Sequence, residues 1–182
     1  MDRTAAASGG IDIGPFRTSD ADDAIALRLE MLKAHPQSFR SPYETELAKT
    51  KGEWAELFAR ATGENSSSMI VLARSADRLV GMTWCRIDRG QWRIISVYVR
   101  KQFRGRGIGR DLMIATLGQI ARRGTTAPVL LNVNATNTSA IRLYENIGFR
   151  RVALERGRLY GDGKRYDSYS MVRDAEGRAG ER

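Results

Sequence analysis

Apolar and polar positions along this chain follow two rhythms, one of period two and one of three to four, and the switches between them outline its elements. Ile11 to Arg17 has the short alternation of a first strand. Thr18-Ser19-Asp20 then supplies helix-capping side chains. Ala24, Leu27, Met31 and Ala34 recur at helical steps until Pro36 closes the run. A second helix is predicted from Ser41-Pro42, anchored by Leu47, Trp54, Leu57 and Phe58, with Gly52 a weak point at which it breaks. Past a loop at Gly63 to Ser68, the stretches Met69 to Arg74, Leu79 to Ile87 and Trp92 to Val99 read as strands. Turns at Ala76-Asp77 and Arg89-Gly90 are short enough to make them an antiparallel meander.

The helical rhythm returns over Asp111 to Arg122, where Leu112, Met113, Leu117, Ile120 and Ala121 form one face and Gly124 ends the run. Val129 to Val133 is a compact strand. Asn137-Thr138-Ser139 caps a short helix reaching Ile147, and Gly148 followed by Phe149 fits a Schellman ending. Arg150 to Arg156 and Tyr166 to Val172 are two last strands around the Gly161-Asp162-Gly163 turn. The predicted order, β-α-α-β-β-β-α-β-α-β-β, describes an α/β (α+β) domain over residues 11–173, with a mixed, mostly antiparallel sheet flanked by helices. The small polar ends, Met1 to Gly10 and Asp174 to Arg182, are expected to be disordered tails.

Composition narrows this picture only a little. The 182 residues, 42% of them hydrophobic, suit one core. The net charge of +9 attracts polyanions without choosing among nucleic acid, an anionic membrane and a phosphorylated cofactor. The one cysteine, Cys85, offers no disulfide framework and reads as a small core residue. His35 has no partner at ligand spacing, so no metal site is expected. No apolar run approaches the roughly 20 residues needed to span a bilayer, and the N-terminus lacks an apolar signal core. A cytoplasmic location is expected.

The chemistry concentrates at Arg104-Gly105-Arg106-Gly107-Ile108-Gly109, with Arg110 beside it. A glycine-rich turn between strand and helix exposes backbone N–H groups, lets a ligand approach closely and sits at the positive end of the helix dipole. That combination suits a pyrophosphate. The glycines fall at alternate positions, which is not the Gly-x-Gly-x-x-Gly spacing of a dinucleotide fold, and no Lys-Ser/Thr follows as in a Walker loop.

The Arg-x-x-Gly-x-Gly pattern of Arg104, Gly107 and Gly109, after the strand ending Ser96-Val97-Tyr98-Val99, resembles the acyl-CoA signature of the GNAT N-acetyltransferases. The stretch from Asn134 to Phe149, an Asn-rich turn, a short helix with Tyr144 and a closing Gly-Phe, is similar to the family's second signature. The element order matches from about Ile11 to Val172. The resemblance implies acetyl-CoA as acyl donor and an amine of a small molecule or protein as acceptor. Backbone groups from Gly105 to Arg110 would cradle the pyrophosphate, with Arg104, Arg106 and Arg110 adding charge. Val97 and Val99, with Tyr98 between them, would offer main-chain groups to the pantetheine arm. Tyr144 would donate a proton to the leaving thiolate, Asn137 would bond the pantetheine or a water, and Ser139 would stand nearby.

Many family members carry a Glu on the strand before the glycine-rich loop, whereas Arg93 to Val99 holds no carboxylate. Asp88, Glu44, Glu46 and Glu155 are the alternatives for a base, beside a water chain. By resemblance, the acceptor site would be shaped by about Phe39 to Phe58 and Leu154 to Tyr169, the latter rich in aromatics at Tyr160, Tyr166 and Tyr169. A basic surface disfavours a polycationic acceptor such as spermidine. A nucleic-acid-binding module is the competing reading, disfavoured because the basic residues are spread along the chain. A non-catalytic acyl-CoA sensor and a homodimer both stay open.

Overall fold

A computed structural model describes residues 10–39, 41–63, 66–76 and 78–174. The elements are β1 Ile11–Pro15, α1 Ala21–Ala34, α2 Tyr43–Leu47, α3 Lys51–Ala59, β2 Ser68–Ser75, β3 Arg78–Asp88, β4 Gln91–Val99, α4 Ile108–Arg122, β5 Val129–Asn134, α5 Thr138–Asn146, β6 Arg150–Gly161 and β7 Lys164–Arg173. The strands form one seven-stranded sheet in the order β1-β2-β3-β4-β5-β7-β6. Every neighbouring pair is antiparallel except β4 with β5. The α/β arrangement expected from the sequence is the one found.

Each face of the sheet carries its own core. On β2, Met69, Val71 and Ala73 turn to the side covered by α4 and α5, and Ile70 and Leu72 to the side covered by α1 and α3. The period of two along the strand explains this division. Helix α4 lays Ile108, Leu112, Met113, Thr116 and Ile120 on the sheet, and Thr116 shares a buried hydrogen bond with Thr83 of β3. Cys85 belongs to the same core; burial pushes its thiol up to about 12, which leaves it unreactive as a nucleophile.

The helical region before β2 departs from the sequence expectation. The break comes at Ala48 to Thr50 and not at Gly52, because Thr50 and Glu53 form a reciprocal capping box that starts α3 afresh. Leu47 is 54% exposed and anchors nothing. Ala34 and Ala121 also face solvent, and Arg28 takes a buried place on α1 instead. The final hairpin is longer than expected, closing at Asp162 (φ 47°) and Gly163 (φ 78°), the two left-handed residues of a tight turn. Ala76 is left-handed in the β2–β3 turn, whereas its expected partner Asp77 lies outside the described residues. So do the two expected tails apart from Gly10 and Asp174. No helix among the described residues is long and apolar enough to cross a membrane.

Candidate active site

The parallel pair is where the sheet opens. β4 and β5 are in register only at Arg93↔Leu130 and Ile94↔Leu131. One residue later the pairing of β4 with β3 slips, since Trp84 faces Ser96 while Cys85 faces Ile94, leaving Ile95 as a bulge. A bulge adds twist and bends its strand, so β4 veers from β5 over Ser96 to Val99. The Arg100 amide donates to the Val80 carbonyl on the β3 side. Alternation then turns the main-chain groups of Val97 and Val99 toward the opening. The result is a cleft of about 570 Å³ between the two strands.

The glycine-rich turn closes one end of that cleft. Gly105 (φ 76°) and Gly107 (φ 81°) are left-handed, which explains glycine at both places. Gly107 stands at the position before α4 where a capping side chain would sit and has none to accept from the helix start. Among the described residues, the amides from Gly105 to Arg110 donate to no loop carbonyl. They leave a bundle of free N–H groups at the positive end of a fifteen-residue helix. At Gly109 a Cβ would make only ordinary contact with Leu143, 3.5 Å away, so the packing of α4 on α5 does not demand glycine.

Most of the residues singled out from sequence line the cleft together: Val97, Tyr98, Val99, Arg104, Gly105, Gly107, Ile108, Gly109, Arg110, Asn137, Ser139 and Tyr144. Arg106 does not; its guanidinium rests against the Phe103 ring at 5.4 Å. Tyr144 is buried, its ring edge-on to Phe149, and the Phe149 amide donates to the Tyr144 carbonyl in the expected Schellman ending. Burial raises the Tyr144 phenol far above its ordinary value, and its hydroxyl makes no hydrogen bond among the described residues. Asn137 spends its side-chain oxygen on the cap, accepting from the Ala140 amide at 3.1 Å.

Arg104 is not turned out toward a phosphate. Its Nε donates to the Val99 carbonyl at 2.8 Å, its Nη2 meets His35 Nε2 at 2.9 Å, and its guanidinium lies 5.7 Å from the centre of the Tyr98 ring. The Tyr98 side chain points away from the cleft interior, toward the α1 core, and donates to Glu30 Oε1 at 2.9 Å; burial and that bond raise its phenol. His35 stands out in the sequence only as a residue without metal partners, yet it lines the cleft. Partial burial and the Arg104 charge lower its pKa. Among the described residues, no three His, Cys, Asp or Glu groups stand close enough to hold a metal ion.

A second cavity of about 320 Å³ adjoins the first, and the two share Ser38, Phe39, Ile94, Ile95 and Asn132 in their walls. The passage therefore runs through the sheet at the bulge. The loop over it, His35 to Phe39, is pinned twice. Asn134 Nδ2 donates to the Gln37 carbonyl at 3.0 Å, and Gly161 of β6 packs so tightly that a Cβ would fall 2.3 Å from the Pro36 carbonyl. Of the late tyrosines, Tyr160 is exposed, Tyr166 donates to Asp162 in its own turn, and Tyr169 packs with Arg151; none lines either of these two cavities. Leu159 is the β6 residue that does.

The geometry is thus a splayed parallel pair leading to an uncapped, glycine-built helix start. The family model for the GNAT family of acetyltransferases matches residues 28–149. This chain belongs to the GNAT family. The family uses acetyl-CoA as acyl donor, and the bundle of free amides beside the splay suits its pyrophosphate and extended arm. A mycothiol acetyltransferase of Clavibacter sepedonicus is 34% identical over 147 residues, covering 80% of this chain and 45% of that protein. The chain thus spans about half the length of the curated relatives it matches. A GNAT-family acetyltransferase from Streptococcus pneumoniae has the same fold, with TM-score 0.77 at 18% identity over 90% of this chain and 98% of that one. So does yncA of Salmonella typhimurium, solved with its cofactor acetyl-CoA, with TM-score 0.76 at 18% identity over 94% and 98%.

Proposed function

We propose that this chain transfers the acetyl group of acetyl-CoA to an amine. The opening of β4 from β5 directly onto the free amides of Gly105 to Arg110 is the observation that carries the reading. The catalytic unit is one domain over residues 11–173. Those amides receive the pyrophosphate, with Arg110 beside them. Val97 presents both main-chain groups to the pantetheine arm, while Val99 presents its N–H, its carbonyl being held by Arg104. Asn137 and Ser139 stand at the same wall.

The transfer forms a C–N bond at the acetyl carbon and breaks the C–S bond; the amine loses a proton and the thiolate gains one. Tyr144, kept protonated by burial, is the donor to the thiolate. The alternatives for the base fare unequally. Glu46 is buried against Arg28 and Lys49, Glu155 accepts from Ser170, and Glu44 faces solvent. Asp88 borders the second cavity but faces Gln91, four residues and about 13 Å along β4 from Ile95. None stands at the bulge, which favours removal of the proton through water. Relatives named mycothiol acetyltransferase make a small-molecule amine the first acceptor class to try. The cytoplasm suits a chain whose one cysteine is free and buried. A second copy has its best surface at the edge strand β6, where Val152 and Leu154 are exposed.

Calorimetric titration with acetyl-CoA should be saturable. Gly107→Val places a β-branched residue at φ 81°, a conformation costing about 1–2 kcal/mol, and should weaken acetyl-CoA about tenfold or more. Unchanged affinity in that variant would remove the cradle, and with it the proposed function.

A further inference from the structure

We infer that the second cavity receives an acceptor amine that carries a carboxylate at the end remote from the amine-delivery point. This rests on the acetyl-transfer reading above and names the acceptor class for the same passage. The cavity has a directional wall. Its inner end, shared with the donor cleft, is built by Phe39, Ile94 and Ile95 together with Ser38 and Asn132. Its outer wall is cationic: Arg86 and Arg93 line it against a single carboxylate, Asp88, while Arg28 stands toward the bulge beside Ser96.

The arginines are not equally compensated. Arg28 is buried, donates to Ser96 Oγ at 2.6 Å and pairs with Glu46 at 3.6 Å. Arg93 pairs with Asp88 at 3.1 Å and donates to Asn132 Oδ1 at 2.9 Å. Arg86 has no partner among the described residues. It is also the residue directly across from Arg93 in the β3–β4 ladder. Like charges directly opposite on one face of an antiparallel pair repel, and Asp88 answers only one of the two. An anion seated at the outer wall would answer the other. A carboxylate matches the guanidinium fork and accepts two N–H groups at once.

The size of the cavity points the same way. About 320 Å³ lies at the small end of ligand pockets, enough for a small molecule or the end of a peptide. A carboxylate at Arg86 places the rest of the acceptor over Phe39 and Ile95. Its amine then arrives at the bulge, where the two cavities meet.

Matched acceptors test this. 5-Aminopentanoate, 6-aminohexanoate and the dipeptide Leu-Gly are compared with their carboxamides by release of CoA. The acids should be preferred by about tenfold in kcat/KM, equivalent to about 1.4 kcal/mol. Arg86→Gln should raise KM for the acids, leave the amides unchanged and leave KM for acetyl-CoA unchanged. The second measurement needs no turnover: with CoA present, 4-methylpentanoate is titrated calorimetrically against the wild type and Arg86→Gln, with 4-methylpentanamide as the neutral control. Saturable binding of the acid that Arg86→Gln weakens about tenfold supports the inference. Equal treatment of acid and amide in both experiments overturns it. Failure of acetyl-CoA to bind would instead break the transfer reading, and the 4-methylpentanoate titration without CoA still decides this one.

Discussion

On the proposed function, the half of the molecule that would face the donor and the half that would face the acceptor are built by opposite strategies. The donor half, from Val97 through α4 and on to α5, is local and made of backbone. Two left-handed glycines, an uncapped helix start and a bulged strand form it, and their side chains face the core or are absent. The acceptor half is held by side chains that reach far along the chain. Arg28 bonds Ser96, Asn134 bonds Gln37, and Gly161 lies on Pro36. A backbone site fixes one ligand shape whatever the neighbouring side chains. A side-chain site changes its ligand with a few substitutions. The division fits an enzyme with one donor and a family-wide choice of acceptors.

The acceptor half should be the fragile one. Arg28 and Glu46 form an ion pair that is almost fully buried, with side-chain exposures of 6% and 10%. Removing one partner leaves a charge in a low-dielectric place, which typically costs about 3–5 kcal/mol. Glu46→Leu should lower the stability read from urea unfolding by about 3 kcal/mol, with Lys49 left close to the vacated site. Adding Arg28→Met to Glu46→Leu should restore much of that loss, because the buried charge is then gone. A loss below about 1 kcal/mol for Glu46→Leu alone would mean that water reaches the pair, and the contrast between the halves would weaken.

The donor half should be the sturdier and the more sensitive in rate. Tyr144→Phe removes one hydroxyl with no hydrogen-bond partner among the described residues, so unfolding should change little. Proton donors of this kind contribute about 10²–10⁴ in rate. The expected result is a fall in kcat of about 10²-fold, at the low end because a thiolate leaves readily, with KM for acetyl-CoA unchanged. Equal turnover by Tyr144→Phe would leave the side chain a core aromatic beside Phe149 and nothing more.

The same contrast explains what the sequence disclosed. Gly105 and Gly107 announce their roles because a turn needing positive φ tolerates little else. Asn137 and Gly148-Phe149 mark both ends of α5 within a few residues of each other. Thr50 and Glu53 carry a legible capping signal as well, overshadowed by the more conspicuous Gly52. Arg28 cannot be read as a buried residue, because its partners Glu46 and Ser96 sit on other elements. Gly161 looks like a turn glycine for the same reason: the Pro36 carbonyl that excludes a Cβ is more than a hundred residues away. The turn of Arg104 inward follows from Val99 and His35 meeting in space, and no spacing along the chain encodes that.

His35 gives the finest test, since it joins the two halves. It belongs to the loop over the acceptor passage and accepts from Arg104 of the donor turn. That bond requires a neutral imidazole, because an arginine only donates. Burial and the Arg104 charge hold its pKa below the ordinary 6.5. A folded-state pKa depressed in this way gives stability that is fully present above the unfolded value and is lost as pH falls from there through the folded one. Acidifying from about pH 7.5 to about pH 5.5 should therefore lower the Tm of the wild type more than that of His35→Gln, whose amide stays neutral throughout. Acetyl-CoA affinity should shift in the same sense, as an imidazolium pushes Arg104 from the Val99 carbonyl and loosens the wall of the cleft. The effect is expected to be the smallest of the series, because His35 is only partly buried and solvent screens the repulsion. Parallel losses in the wild type and His35→Gln would show that the halves are joined by packing at Asn134 and Gly161 alone.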